Sequence, residues 1–142
     1  MPNSSPQIKD NGCKNSESEM NVPAENTRIE KDLLGKANVP QNALYGIQTQ
    51  RALKNFDLGG EPLSNFPELV RALALVKQSC ALANEDLGLL SEQKRDAIVT
   101  ATNQIAQGEH HHAFVVEMIQ GGAGTSTNMN ANEVIANLSL LQ

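Results

Sequence analysis

The sequence predicts a mainly α-helical domain, and three stretches of it carry that prediction. From Asn65 onward, Phe66, Leu69, Leu73, Val76, Cys80, Ala83 and Leu87 recur at alternating spacings of three and four, which places them on one stripe of a helix. After Ser91, the residues Ile98, Ala101 and Ile105 mark the face of a second helix that stops at Gly108. The final stretch, "MIQGGAGTSTNMNANEVIANLSLLQ", runs a glycine-rich loop into a third apolar pattern of Met129, Val134, Leu138 and Leu141.

At 142 residues the chain falls within the size of one domain and can bury about two-thirds of its unfolded surface. Its 11 basic and 16 acidic residues give a net charge of -5 with no basic run, which argues against nucleic acid or an anionic membrane as partner. No apolar stretch has the length of a signal peptide or a spanning helix. Cys13 and Cys80 form neither a metal-ligand spacing nor a disulfide framework, so a cytoplasmic setting with ordinary thiols is expected.

In chain order, residues 1–26 are rich in Asn, Ser, Pro and Glu without apolar periodicity, and read as a disordered tail. The domain then spans residues 27–142. Its first part, "TRIEKDLLGKANVPQNALYGIQTQRALKNFDLGG", is divided by Gly35, Pro40, Gly46 and Gly59-Gly60 into loops, an extended piece and a short helix near residues 48–55. The first long helix has Asn65 as N-cap, Glu68 three residues on, Pro67 in its first turn and Gly88 as its stop. Its larger stripe residues contribute about 1.5–3 kcal/mol each when fully buried, and it belongs to a bundle. With the Ser91-capped helix it makes an antiparallel hairpin, and "AFVVEMI" at 113–119 delivers the glycine loop as extended or irregular backbone.

Gly121, Gly122 and Gly124 permit a close approach of main chain to a ligand. Thr125, Ser126, Thr127 and Asn128, which follow, are residue types that cap helices. A flexible turn feeding a helix N-terminus suits an anion, because unpaired N–H groups and the positive end of the dipole face the same way. No Lys precedes the Ser/Thr as a P-loop requires, and Thr127 stands where a dinucleotide fingerprint needs glycine. Neutral donors without a local cation suit a small carboxylate whose charged partners come from elsewhere; a plain capped connection is the competing reading. In "EHHH", Glu109 to His112, consecutive helical side chains point about 100° apart and do not converge on a metal, so a solvated helix end or loop is expected there.

"RIEKDLLGKANVPQNALYGIQTQRALKNF" and "QGGAGTSTNMNANEVIAN" resemble the amino-terminal region of the aspartate ammonia-lyase family, in the aspartase/fumarase superfamily, from about Thr27 to Asn137. Against class II fumarases the discriminating positions are Gly122, Ala123, Ser126, Thr127 and Ala131. The resemblance implies the amino-terminal domain of that fold, reversible removal of ammonia from L-aspartate to give fumarate, no bound cofactor and a homotetramer in which three subunits build each site; no metal ligands are assigned in this chain. It further implies that Thr125 contacts a substrate carboxylate beside Gly124, that Ser126, Thr127 and Asn128 either join it or cap the helix, and that Arg51 either shapes the site or forms an ion pair.

By the same resemblance, the catalytic serine belongs to a central glycine-rich loop beyond Gln142, so no catalytic residue is assigned in this chain. "EVIANLSLLQ" carries no helix stop, which reads as a domain truncated within a helix and inactive alone. Two other functions compete with an aspartase wall: a class II fumarase or other superfamily lyase, and a non-catalytic truncated helical module that binds partner chains.

Overall fold

The computed structural model describes residues 26–120 and 123–142, so the tail predicted for residues 1–26 lies, apart from Asn26, outside the described residues. Strands β1 (Thr27–Asp32) and β2 (Gly35–Pro40) pair antiparallel, from Thr27 opposite Pro40 to Asp32 opposite Gly35. Four helices follow: α1 (Ile47–Asn55), α2 (Pro67–Asp86), α3 (Glu92–Ala106) and α4 (Thr125–Leu140). The mainly α class is as expected, whereas the hairpin resolves what the sequence left as an extended piece among loops.

That hairpin is held by polar contacts more than by apolar burial. Ile29 and the turn residues Leu33 and Leu34 are exposed, while Val39 is buried. Asp32 accepts the Leu34 N–H at 2.9 Å across the turn. Arg28 donates through Nη1 to the carbonyls of Pro40, Gln41 and Ala43 and through Nη2 to that of Tyr45, wrapping the chain from β2 toward α1.

Helices α2 and α3 form the expected antiparallel hairpin, with Ser91 at the N-cap of α3. Two details of α2 differ from the sequence reading. The N-cap is Phe66, not Asn65, which sits in a 3-10 turn (Leu63–Asn65) with its side chain on Glu61. The buried line is Val70, Ala74 and Ala81; Leu69 and Leu73 flank the core, and Val76, Cys80, Ala83 and Leu87 are exposed. Leu75 and Leu82 are exposed as well, so α2 is apolar on adjacent faces, and the small Ala74 and Ala81 line, rather than the bulkier stripe, turns inward within this chain.

The core gathers Ala52, Leu63, Val70, Ile105, Phe114, Val116 and Val134, drawn from all four helices and the segments between them. On α3 Ala101 and Ile105 are buried as expected and Ile98 packs against the core; on α4 Val134 and Leu138 are buried, but Leu141 is exposed. No helix among the described residues is long and apolar enough to cross a membrane.

Candidate functional site

The segment leading to the glycine loop is irregular, as predicted, and it is pinned from two sides. It runs antiparallel to residues 61–64: Leu63 donates to Val116 O at 2.8 Å, Ser64 to Phe114 O at 2.9 Å, and Met118 to Glu61 O at 2.7 Å. From the other side the fully buried Asn130 of α4 donates through Nδ2 to Ala113 O at 3.0 Å and accepts the Val116 N–H at 3.3 Å. Both ends of the loop are thus fixed to the same helix, and a buried carboxamide with both ends satisfied specifies the geometry.

The loop enters α4 through Gly124, the N-cap residue, at φ +71°, a left-handed conformation that side chains disfavour. No side chain caps the helix and its first turn holds no acidic residue. Thr125, Ser126, Thr127 and Asn128 therefore do not cap, against one of the two roles expected of them; they form the first turn itself, with Asn128 N–H on Gly124 O at 3.2 Å. Thr125 and Asn128 are exposed and share a face, being three residues apart, while Ser126 and Thr127 are half-buried. The hydroxyls of Ser79, Thr100, Thr102 and Ser139 bond back to their own helices, but those of Thr125, Ser126 and Thr127 have no such partner among the described residues.

A cation does reach this turn, from a residue that the sequence did not single out. Lys77 Nζ of α2 lies 2.5 Å from Asn128 Oδ1. The two are 51 residues apart, and no local pattern could have joined them. Gly121 and Gly122 lie outside the described residues.

Arg51 belongs to a different place. Its guanidinium grips the Asp32 carboxylate with two bonds of 2.8 and 2.9 Å and also reaches Gly35 O. The same side-chain bond holds the Asp32 carboxyl below the usual carboxylate range and raises the arginine. The ion pair, one of the two roles open to Arg51, is thus formed, and it fixes the hairpin turn against α1.

The N-terminus of α1 is filled by two carboxylates from distant parts of the chain. Glu133 of α4 accepts the N–H groups of Gly46, Gln48 and Thr49 at 2.9, 2.8 and 3.0 Å, and Glu30 of β1 accepts that of Ile47 at 2.8 Å. All four orphan donors of the first turn are satisfied this way. Gly46 makes room for it: a Cβ there would lie 2.8 Å from Glu133 Oε1 and 2.9 Å from Glu30 Oε2.

His110 lies in the turn after α3 at φ +60°, and His111 and His112 begin the 3-10 helix His111–Ala113 that follows, with His111 Nε2 on Ile105 O at 2.8 Å. No group of His, Cys, Asp and Glu among the described residues is placed to hold a metal ion. Of the positions that the sequence set against class II fumarases, Ala131 is fully buried in the core, Ser126 and Thr127 are half-buried in the first turn of α4, and Ala123 is exposed just ahead of it.

Comparison with known proteins places this geometry in a family. A family model described as lyase matches residues 35–142. Aspartate ammonia-lyase of Pseudomonas aeruginosa is 61% identical over 118 residues, which is 83% of this chain. Class II fumarate hydratase of Halobacterium salinarum is 49% identical over 114 residues. Among solved structures, a fumarate lyase:delta crystallin from Brucella melitensis superposes with a TM-score of 0.79 at 53% identity, over 81% of this chain. The chain spans about a quarter of the length of these relatives: 25%, 24% and 25% respectively.

Proposed function

The chain belongs to the lyase family, and from that premise we propose that residues 27–142 form the amino-terminal domain of an aspartate ammonia-lyase that works as a cytoplasmic homotetramer. In this reading the entry to α4 is one carboxylate-binding wall of the site. The observation that carries it is the open first turn of α4, with Thr125 and Asn128 on one face, within the stretch 61% identical to the Pseudomonas aeruginosa enzyme.

The chemistry suits such a wall. When a base removes a proton from the carbon beside the β-carboxylate of L-aspartate, the electron pair passes into that carboxylate as an enediolate with two negative oxygens. The pair then returns to form the carbon–carbon double bond of fumarate as the carbon–nitrogen bond breaks and ammonia leaves. Neutral hydroxyls, N–H groups and a helix N-terminus stabilise the developing charge without themselves exchanging protons. Thr125 with Gly124 is the primary contact, Ser126, Thr127 and Asn128 are secondary, and the base comes from another segment of the assembled enzyme.

Class II fumarase is the second reading, favoured by the 49% identity to the Halobacterium salinarum enzyme. Exchanging the matched quarter of the Pseudomonas aeruginosa enzyme for residues 27–142 separates the two. The chimera is expected to release ammonia from L-aspartate and to leave malate untouched, and Thr125→Val is expected to lower its kcat/KM by about 10²-fold. A folded, assembled chimera that dehydrates malate, or one indifferent to Thr125→Val, overturns the proposal.

A further inference from the structure

We infer that Lys77 is the cationic member of the carboxylate site at the entry to α4, acting both through its own charge and as a positioning residue for Asn128. The inference rests on the reading of that turn as a carboxylate site and adds a residue from another helix to it.

Two observations carry it. The first is the polarity of the contact. A lysine ammonium has donors only, so the atom of Asn128 facing Lys77 at 2.5 Å is its carbonyl oxygen, and the Nδ2 group with its two N–H donors is turned the other way. Asn128 and Thr125 are both exposed and three residues apart, so they share a face of the first turn, and the Asn128 donors are left free on it. Lys77 thereby decides that Asn128 offers hydrogen-bond donors, not an acceptor, to whatever binds there.

The second is an electrostatic imbalance. Lys77 makes no ion pair with an acidic side chain among the described residues, although it is half-buried. Its neighbours one turn away on α2 are Leu73, Ala74, Cys80 and Ala81, and the first turn of α4 has no acidic residue. Glu133, the first carboxylate along α4, is committed to α1. A cation set beside the positive end of a helix without a counter-ion opposes the dipole. A bound carboxylate relieves both, and a dicarboxylate offers one carboxylate to the helix end and another to Lys77. The sequence reading required a charged partner from elsewhere for this loop, and Lys77 is the cation that the fold brings to it.

The test uses the 142-residue chain, ¹⁵N-labelled, with fumarate as probe at constant ionic strength, in wild type, Lys77→Met, Lys77→Arg and Thr125→Val. Without ligand, the Asn128 side-chain amide signals are expected to move in Lys77→Met and to stay near their wild-type positions in Lys77→Arg, with the remaining amide signals unchanged in both. With fumarate, the Thr125 and Asn128 signals are expected to shift, with affinity about tenfold weaker in Lys77→Met and largely restored in Lys77→Arg, as a charge of about 1.4 kcal/mol predicts. Equal fumarate response in wild type and Lys77→Met overturns the role of Lys77 while leaving the carboxylate site intact. Shifts that depend on Lys77 but persist unaltered in Thr125→Val keep Lys77 and remove Thr125 from the site. No response to fumarate in wild type overturns this inference, while the carboxylate reading itself stands or falls with the response of the assembled chimera to Thr125→Val.

Discussion

The N-terminus of α1 receives two carboxylates from the protein itself, Glu30 and Glu133, whereas that of α4 receives no side-chain cap and holds no acid in its first turn. Both are preceded by glycine, and the two glycines serve opposite ends. Gly46 has extended backbone open to any residue and is small so that carboxylates can come close; Gly124 takes a left-handed φ and turns the chain into the helix. The same physics, orphan N–H groups at the positive end of a dipole, ties β1, α1 and α4 together at the first of these termini, while at the second no side chain among the described residues takes it up.

The largest effect is expected where the filled terminus is broken. Gly46→Ala places a methyl against both carboxylates at once, so the four bonds they accept are displaced together. Since φ −118° and ψ −161° suit alanine, backbone strain adds nothing and the loss measures the caps themselves. A destabilisation of about 3 kcal/mol is expected from the urea midpoint, because hydrogen bonds to charged groups contribute about 1.5–3 kcal/mol and several are lost. A midpoint near wild type would mean that the carboxylates are peripheral to the fold.

Glu133→Gln breaks the same terminus by half. Glu133 uses both oxygens, Oε2 for Gly46 and Thr49 and Oε1 for Gln48. A carboxamide keeps one acceptor and turns a donor toward a donor, while the Glu30 bond to Ile47 survives. A loss of about 1.5 kcal/mol in the same titration is expected, clearly below that of Gly46→Ala. Equal losses would show that Glu30 contributes nothing.

This contrast also explains what the sequence disclosed. The entry to α4 is local: glycines, hydroxyls and the helix they lead into lie within a few residues, so its form could be read from the letters. The filling of α1 joins Gly46 to Glu133 across 87 residues, and nothing in either neighbourhood announces it. Lys77 and Asn128 are hidden for the same reason. The α2 stripe failed differently, because a helix apolar on adjacent faces satisfies the spacing rule along more than one line, and packing against α3 and α4 chose the line of small residues. The hairpin was obscured because the two central residues of its turn, Leu33 and Leu34, are apolar and carry no hairpin signature, while Asp32 and Gly35 mark it only from the flanks; Arg51 and Arg28 hold it from outside the turn.

The smallest effect on stability should come from making the two termini alike. Ser126→Asp introduces a carboxylate into the first turn of α4, near its N–H groups and Lys77. An acidic side chain there complements the dipole, and the stability read from the urea midpoint is expected to rise by about 0.5 kcal/mol. The same substitution should abolish the fumarate response, since the added charge occupies the donors and repels a dianion. Stability and ligand binding would then move in opposite directions at one residue, as expected of a terminus kept open for a ligand at some cost to the fold. If Ser126→Asp lowered stability and left the fumarate response intact, the open turn of α4 would be only a connection, and the comparison with α1 would lose its meaning.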